Sequence, residues 1–263
     1  MKIQQITRPH DFINVSSDFI LKICRSKKTR VNIALSGGNT PQEIYQALAK
    51  KLSFMSCLPS GGPFKNQLHF YQVDERYIPT TDKDSNQKMI TEAFTILKSS
   101  QKFSAKNIHF HFFDTSVSIE KSLKKYTKEL PKIFDLMILG IGPDGHTASL
   151  FPNSKELNSK KPVVHSITRA HGASAQQGER SGSASRETQR ALPIKNFTIP
   201  NRLTLTFPII LKSKNLLILL KNKPEILTKL KSHAKSKVTK TEISNFPALK
   251  LLSLKNLTIY SQN

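Results

Sequence analysis

The 263 residues, 37% of them hydrophobic, allow one large domain or two small ones with a core of useful size. Two cysteines, Cys24 and Cys57, form no CxxC pair, which excludes a disulfide framework and fits a reducing cytoplasm. Lys and Arg number 41 against 18 Asp and Glu, a net charge of +23 that favours an anionic partner, nucleic acid or a phosphorylated metabolite.

The lysines are spread along the chain, in pairs such as Lys27-Lys28 and Lys160-Lys161, with no aromatic stripe among them. No RNA-binding, zinc-finger or basic-zipper pattern accompanies them, so the surface reads as lysine-biased and nucleic acid is not expected as a partner. No apolar run approaches the ~18 residues of a membrane span. Met1 to Arg8 is polar, without the apolar stretch of a signal peptide. A soluble cytoplasmic protein is expected.

Pro9 to Lys22 carries Phe12, Ile13, Phe19 and Ile20 at near-helical spacing and predicts a first helix. Val31 to Leu35 is a short strand, followed by Ser36-Gly37-Gly38-Asn39-Thr40. Pro41 then opens a helix through Leu52, with Thr40 as its N-cap. A glycine loop between a strand and a helix start offers backbone N–H groups and the positive end of the helix dipole to an anion, so this loop is a candidate phosphate cradle. It is not a Walker A loop, because GxxxxGK[ST] is absent.

After a loop at Ser60-Gly61-Gly62-Pro63, Leu68 to Val73 predicts a strand ending in the charged run Asp74-Glu75-Arg76. Asp82-x-Asp84-x-Asn86 lacks the Gly and terminal Glu of a calcium loop. Asp84-Ser85 reads instead as the cap of a helix from Asn86 to Leu97. His109 and His111 share one face of a short strand, but with no cysteine or acid cluster nearby no metal site is expected. Ser118 to Leu130 is an amphipathic helix.

Ile133 to Leu139 reads as a buried parallel strand. It turns through Gly140, Gly142 and Gly145 and delivers Asp144 and His146 ahead of an expected helix. The spacing fits the dinucleotide fingerprint, yet no acid stands between Val163 and Ala170, where a ribose ligand belongs. The turn is therefore read as catalytic. Residues 169–190 hold four arginines, three glycines and no lysine, and predict a disordered surface insert. Beyond it, Leu203 to Phe207 and Leu216 to Leu220 are strands. Lys223-Pro224 starts a helix, and Leu257 to Tyr260 is a last strand. This alternation predicts a single α/β domain over residues 1–263, with a mostly parallel, Rossmann-like sheet and helices on both faces.

Four segments carry a resemblance: Ser36-Gly-Gly-Asn-Thr-Pro41, Asp74-Glu-Arg76 with Asp84-Ser-Asn86, Gly140 to Phe151, and Arg202-Leu-Thr-Leu-Thr206. In this order they resemble the 6-phosphogluconolactonase family, within the glucosamine/galactosamine-6-phosphate isomerase superfamily. The related deaminases carry Asp-Glu-Tyr where this chain has Asp74-Glu75-Arg76. The resemblance implies hydrolysis of 6-phosphogluconolactone to 6-phosphogluconate in the oxidative pentose phosphate route, with no cofactor and no metal. It implies His146 as general base, Asp144 orienting it or the sugar hydroxyls, and Arg76 on substrate oxygen or the oxyanion. Asp74 would position sugar hydroxyls or Arg76. Ser36, Gly37, Gly38, Asn39, Thr40, Arg202 and Lys223 would hold the phosphate. Leu220 stands where the family usually has Gly, three residues before the position matched by Lys223. The expected partner is the small phosphorylated sugar lactone, for a monomer or homodimer. Two alternatives stay open: a glucosamine-6-phosphate deaminase-like enzyme, and a catalytically decayed, basic nucleic-acid-binding protein on the same fold.

Overall fold

The structure is a computed structural model and describes residues 1–26, 29–55, 67–99, 107–168 and 200–262. The loop at Ser60 to Pro63, Cys57 and the insert expected at 169–190 lie outside these residues. The first half runs β1 (Lys2–Ile6), α1 (Pro9–Cys24), β2 (Arg30–Leu35), α2 (Asn39–Met55), β3 (Gln67–Gln72), β4 (Asp74–Arg76), α3 (Asn86–Ala93), α4 (Thr95–Ser99), β5 (Ile108–His111) and α5 (Ile119–Glu129). The second runs β6 (Leu136–Leu139), a 3-10 helix (Lys155–Asn158), β7 (Val163–Ile167), β8 (Asn201–Leu205), α6 (Phe207–Ile210), β9 (Leu216–Lys221), α7 (Pro224–His233), α8 (Lys240–Asn245), a 3-10 helix (Pro247–Ser253) and β10 (Leu257–Gln262).

Seven strands form one sheet in the order β1-β10-β9-β6-β2-β3-β5, and every neighbouring pair is parallel. Parallel strands covered on both faces need apolar side chains at nearly every position, and the central strands have them. Ile33, Leu35, Leu136 and Ile138 enter one buried cluster with Phe12 and Ile20 of α1, Ile44 and Leu48 of α2 and Ile90 of α3. Ala34, Met137 and Leu139 enter the opposite cluster, with Tyr126 of α5 and Ile226 and Leu230 of α7. Each fully buried Leu or Ile stabilises the fold by about 1.5–3 kcal/mol relative to exposure. The single α/β domain with helices on both faces is thus what the chain forms. No helix among the described residues is long and apolar enough to cross a membrane.

Several local expectations are corrected. The helix after β2 begins at Asn39, not Pro41, because Gly38 makes the turn at φ +98° and Pro41 is accepted within the first helical turn. Ser85 caps α3 as expected, its hydroxyl accepting from the Lys88 N–H at 3.2 Å. The helix stops at Ala93, however: Phe94 is buried against Tyr45 and Phe70, and α4 starts anew beyond it. The expected strand through Phe207 ends at Leu205, since Pro208 in the first turn of α6 takes the chain into helix. Beyond the expected elements, the structure has a second, antiparallel sheet, β4-β8-β7, and the edge strand β1. No helix opens directly after His146; the next helical element is the 3-10 helix Lys155–Asn158. Residues 141–150 close into a tight turn through isolated pairings of Thr147 with Ile141 and with Leu150, and Ala148 adopts φ +52°.

Candidate active site

The chain moves outward from β2 in two directions, to β3 and β5 on one side and to β6, β9 and β10 on the other. Such a switch point leaves a crevice beyond the carboxyl ends of the strands, where open α/β sheets bind ligands. The loops after β2 and β6 both open here. They form a cavity of about 310 Å³, lined among others by Ser36, Gly37, Gly38, Asn39, Thr40, Asp74, Arg76, His146, Arg202 and Lys223. Ten of the eleven residues singled out in the sequence therefore share one cavity. The eleventh, Asp144, stands directly behind His146.

The turn after β6 orients the histidine. Asp144 Oδ1 accepts from His146 Nδ1 at 2.5 Å and from the His146 backbone N–H at 3.1 Å. A carboxylate only accepts, so Nδ1 carries the proton and Nε2 is the acceptor left to face a ligand. The ring also packs on Phe151, with centroids 4.8 Å apart. Gly142 has to be glycine, because a Cβ there would overlap the imidazole. The Gly142 N–H donates to the His146 carbonyl at 2.8 Å, and Thr147 Oγ1 donates to the Gly140 carbonyl at 3.0 Å, which closes the turn.

The cationic wall comes from the small sheet and from β9. Antiparallel pairing of β4 with β8 puts Arg76 directly opposite Arg202. The Nε atoms of both arginines are buried without a hydrogen-bond partner. Burial, then the neighbouring Arg76 charge, pushes the Arg202 guanidinium below its usual pKa. Both arginines line the cavity, and two adjacent guanidiniums there suit anionic oxygens. Lys223 ends the loop after β9, and its Nζ donates to the Ile141 carbonyl at 2.5 Å. Burial lowers its pKa, while Glu225 and Asp144 act the other way. Leu220 is buried in the core beneath, so the departure from glycine there does not draw Lys223 out of the cavity.

Asp74 is buried, and its Oδ2 accepts from Ser149 Oγ at 2.7 Å. Glu75 is fully buried and accepts from Gln72 Nε2, Ser85 Oγ and the backbone N–H groups of Arg76, Asn86 and Gln87, at 2.6–3.2 Å. Burial raises its pKa, and the hydrogen bonds from Asn86, Gln87, Gln72 and Arg76 oppose the rise. Sequence reasoning did not single out Asn86, Ser149 and Phe151 as cavity residues. All three lie within the motif segments of the sequence, but only the fold shows that they meet Arg76, Asp74 and His146. His109 and His111, away from the cavity, stack with His69 and Tyr71. Among the described residues no group of three or more His, Cys, Asp or Glu side chains could hold a metal ion.

A family model described as glucosamine-6-phosphate isomerases/6-phosphogluconolactonase matches residues 14–248. A 6-phosphogluconolactonase of Thermotoga maritima is 38% identical over 144 residues, 51% of this chain and 59% of that protein. The chain thus aligns with less than two thirds of that relative's length. A probable 6-phosphogluconolactonase of Dictyostelium discoideum is 26% identical over 256 residues, 94% of this chain and 88% of that protein. The crystal structure of the Thermotoga maritima enzyme superposes with a TM-score of 0.69 at 25% identity, covering 99% of this chain and 98% of that one.

Proposed function

The chain belongs to the glucosamine-6-phosphate isomerase/6-phosphogluconolactonase family, and on that premise we propose that it hydrolyses 6-phosphogluconolactone to 6-phosphogluconate. The observation that carries this reading is the pairing, in one cavity, of a carboxylate-oriented imidazole with Arg76, Arg202 and Lys223. A lactone ester with a remote phosphate needs both: a base for water, and cations for the developing and the permanent negative charge.

In this mechanism His146 Nε2 takes a proton from water as the water oxygen attacks the lactone carbonyl carbon. Asp144 holds the ring and stabilises the imidazolium that forms. Negative charge moves to the carbonyl oxygen, where Arg76 receives it. The tetrahedral intermediate then collapses, the bond from C1 to the ring oxygen breaks, and the imidazolium returns the proton to that oxygen. Asp74, fixed by Ser149, orients sugar hydroxyls. Arg202, Lys223 and the loop Ser36-Gly37-Gly38-Asn39-Thr40 hold the phosphate.

The test offers the protein two substrates: the lactone, generated in place and followed against its spontaneous hydrolysis, and glucosamine 6-phosphate, followed by ammonia release. Lactone decay well above the spontaneous rate, with no ammonia, is the expected result. Ammonia without lactone hydrolysis would replace this reading with the deaminase one.

A further inference from the structure

Asn86, at the start of α3, lines the cavity and ties α3 to β4 and to the loop after β2. It is buried, with 3% of its surface exposed. Its Oδ1 accepts from Arg76 Nη1 at 2.8 Å, and its Nδ2 donates to the Asp74 backbone carbonyl at 2.8 Å. Its backbone N–H donates to Glu75 Oε1 at 2.8 Å, which roots α3 on β4. On its far side the amide packs so closely on the loop after β2 that a Cβ on Gly37 would overlap it.

The chemistry of these contacts selects an amide. A guanidinium only donates and a backbone carbonyl only accepts, so the side chain between them must present one acceptor and one donor from a rigid plane. An aspartate offers two acceptors and would face the Asp74 carbonyl with a carboxylate. An alanine offers neither group: it releases one N–H of Arg76 and takes the amide donor from the buried Asp74 carbonyl. Arg76 Nη1 is held by Asn86 and by the Asp84 carbonyl at 2.6 Å, which fixes the guanidinium on the cavity wall.

We propose that Asn86 is a positioning residue for the reaction: its amide aims the Arg76 guanidinium into the cavity and sets the gap between the glycine loop and β4. The proposal rests on the lactonase reading for its reaction, but its geometry requires only that Arg76 meets an anionic ligand.

A double-mutant cycle decides it. Asn86→Ala is expected to lower kcat/KM for the lactone by about 10- to 100-fold, the scale of a misplaced binding group. In an Arg76→Ala background the same substitution is expected to change kcat/KM by less than about 3-fold, because the group it positions is gone. Equal losses in both backgrounds would overturn the proposal and leave Asn86 as scaffold alone. Asn86→Asp keeps the shape and serves if the alanine variant does not fold. Its carboxylate would compete for Arg76, so its deficit is expected to shrink as pH is lowered through the carboxylate range. A deficit independent of pH would count against the proposal. The same cycle is to be read in calorimetric affinity for 6-phosphogluconate, which needs the anion site and no turnover. An inactive but binding wild type would then sink the lactonase reading, while the coupling of Asn86 to Arg76 is still decided by the affinities.

Discussion

Asp144 and His146 are two residues apart, and the glycine turn lets one carboxylate oxygen reach both the ring and the backbone of the histidine. The pair therefore depends on the acceptor-only character of the carboxylate. Asp144→Asn introduces an amide that can donate to Nδ1 and stabilise the wrong tautomer. It is expected to lower kcat by about 100-fold or more, as loss of the orienting acid does in comparable dyads, with KM changed far less. Steady-state kinetics of the purified variant checks this, and a normal kcat would remove Asp144 from the mechanism. These residues were legible in the sequence because they sit on short motifs with three glycines. The bond between them was not, since spacing alone does not say which way an Asp side chain turns.

The elements that frame the cavity divide by how they are stabilised. β2, β6 and β9 read directly as apolar runs, because a doubly covered parallel strand has no polar face. β4 reads only as a charged run at the end of a strand, yet Glu75 is fully buried. What makes this tolerable is five donors converging on one carboxylate, three of them backbone N–H groups contributed by the fold itself. The edge of the large sheet behaves in a similar way. His69 Nδ1 lies 2.9 Å from His111 Nε2, and His111 Nδ1 lies 2.9 Å from Glu129. His69 also stacks on His109. Burial first, then the nearby Arg30 and the two neighbouring histidines, lowers the His69 pKa from 6.5 to about 4. A folded-state value below the unfolded one means that the unfolded chain binds the extra proton first. The contribution to stability is complete above about pH 6.5 and is lost as pH falls towards about 4. Thermal melts are expected to show Tm falling across that window, with a shallower fall in His69→Gln. An identical slope in the variant would show that other groups set the acid limit.

At the scale of the molecule, the sheet topology brings the loop after β2, the turn after β6 and the start of α7 to one switch point, and the small antiparallel sheet adds two arginines to it. The alternation of strands and helices made the large sheet readable. The small one was hidden because its strands are short and far apart in sequence, with residues 169–199 between β7 and β8. The net charge of +23 favours anionic partners in general, and the proposed choice of a phosphorylated lactone over nucleic acid rests on His146, which lines the cavity, and on Asp144 behind it. The most direct test follows the decay of freshly generated 6-phosphogluconolactone with wild-type protein, with His146→Ala, and with neither. The account predicts clear acceleration by the wild type and at least a ~100-fold loss of turnover in a variant that remains folded. Near-normal turnover by folded His146→Ala, or no acceleration by folded wild type, would contradict it.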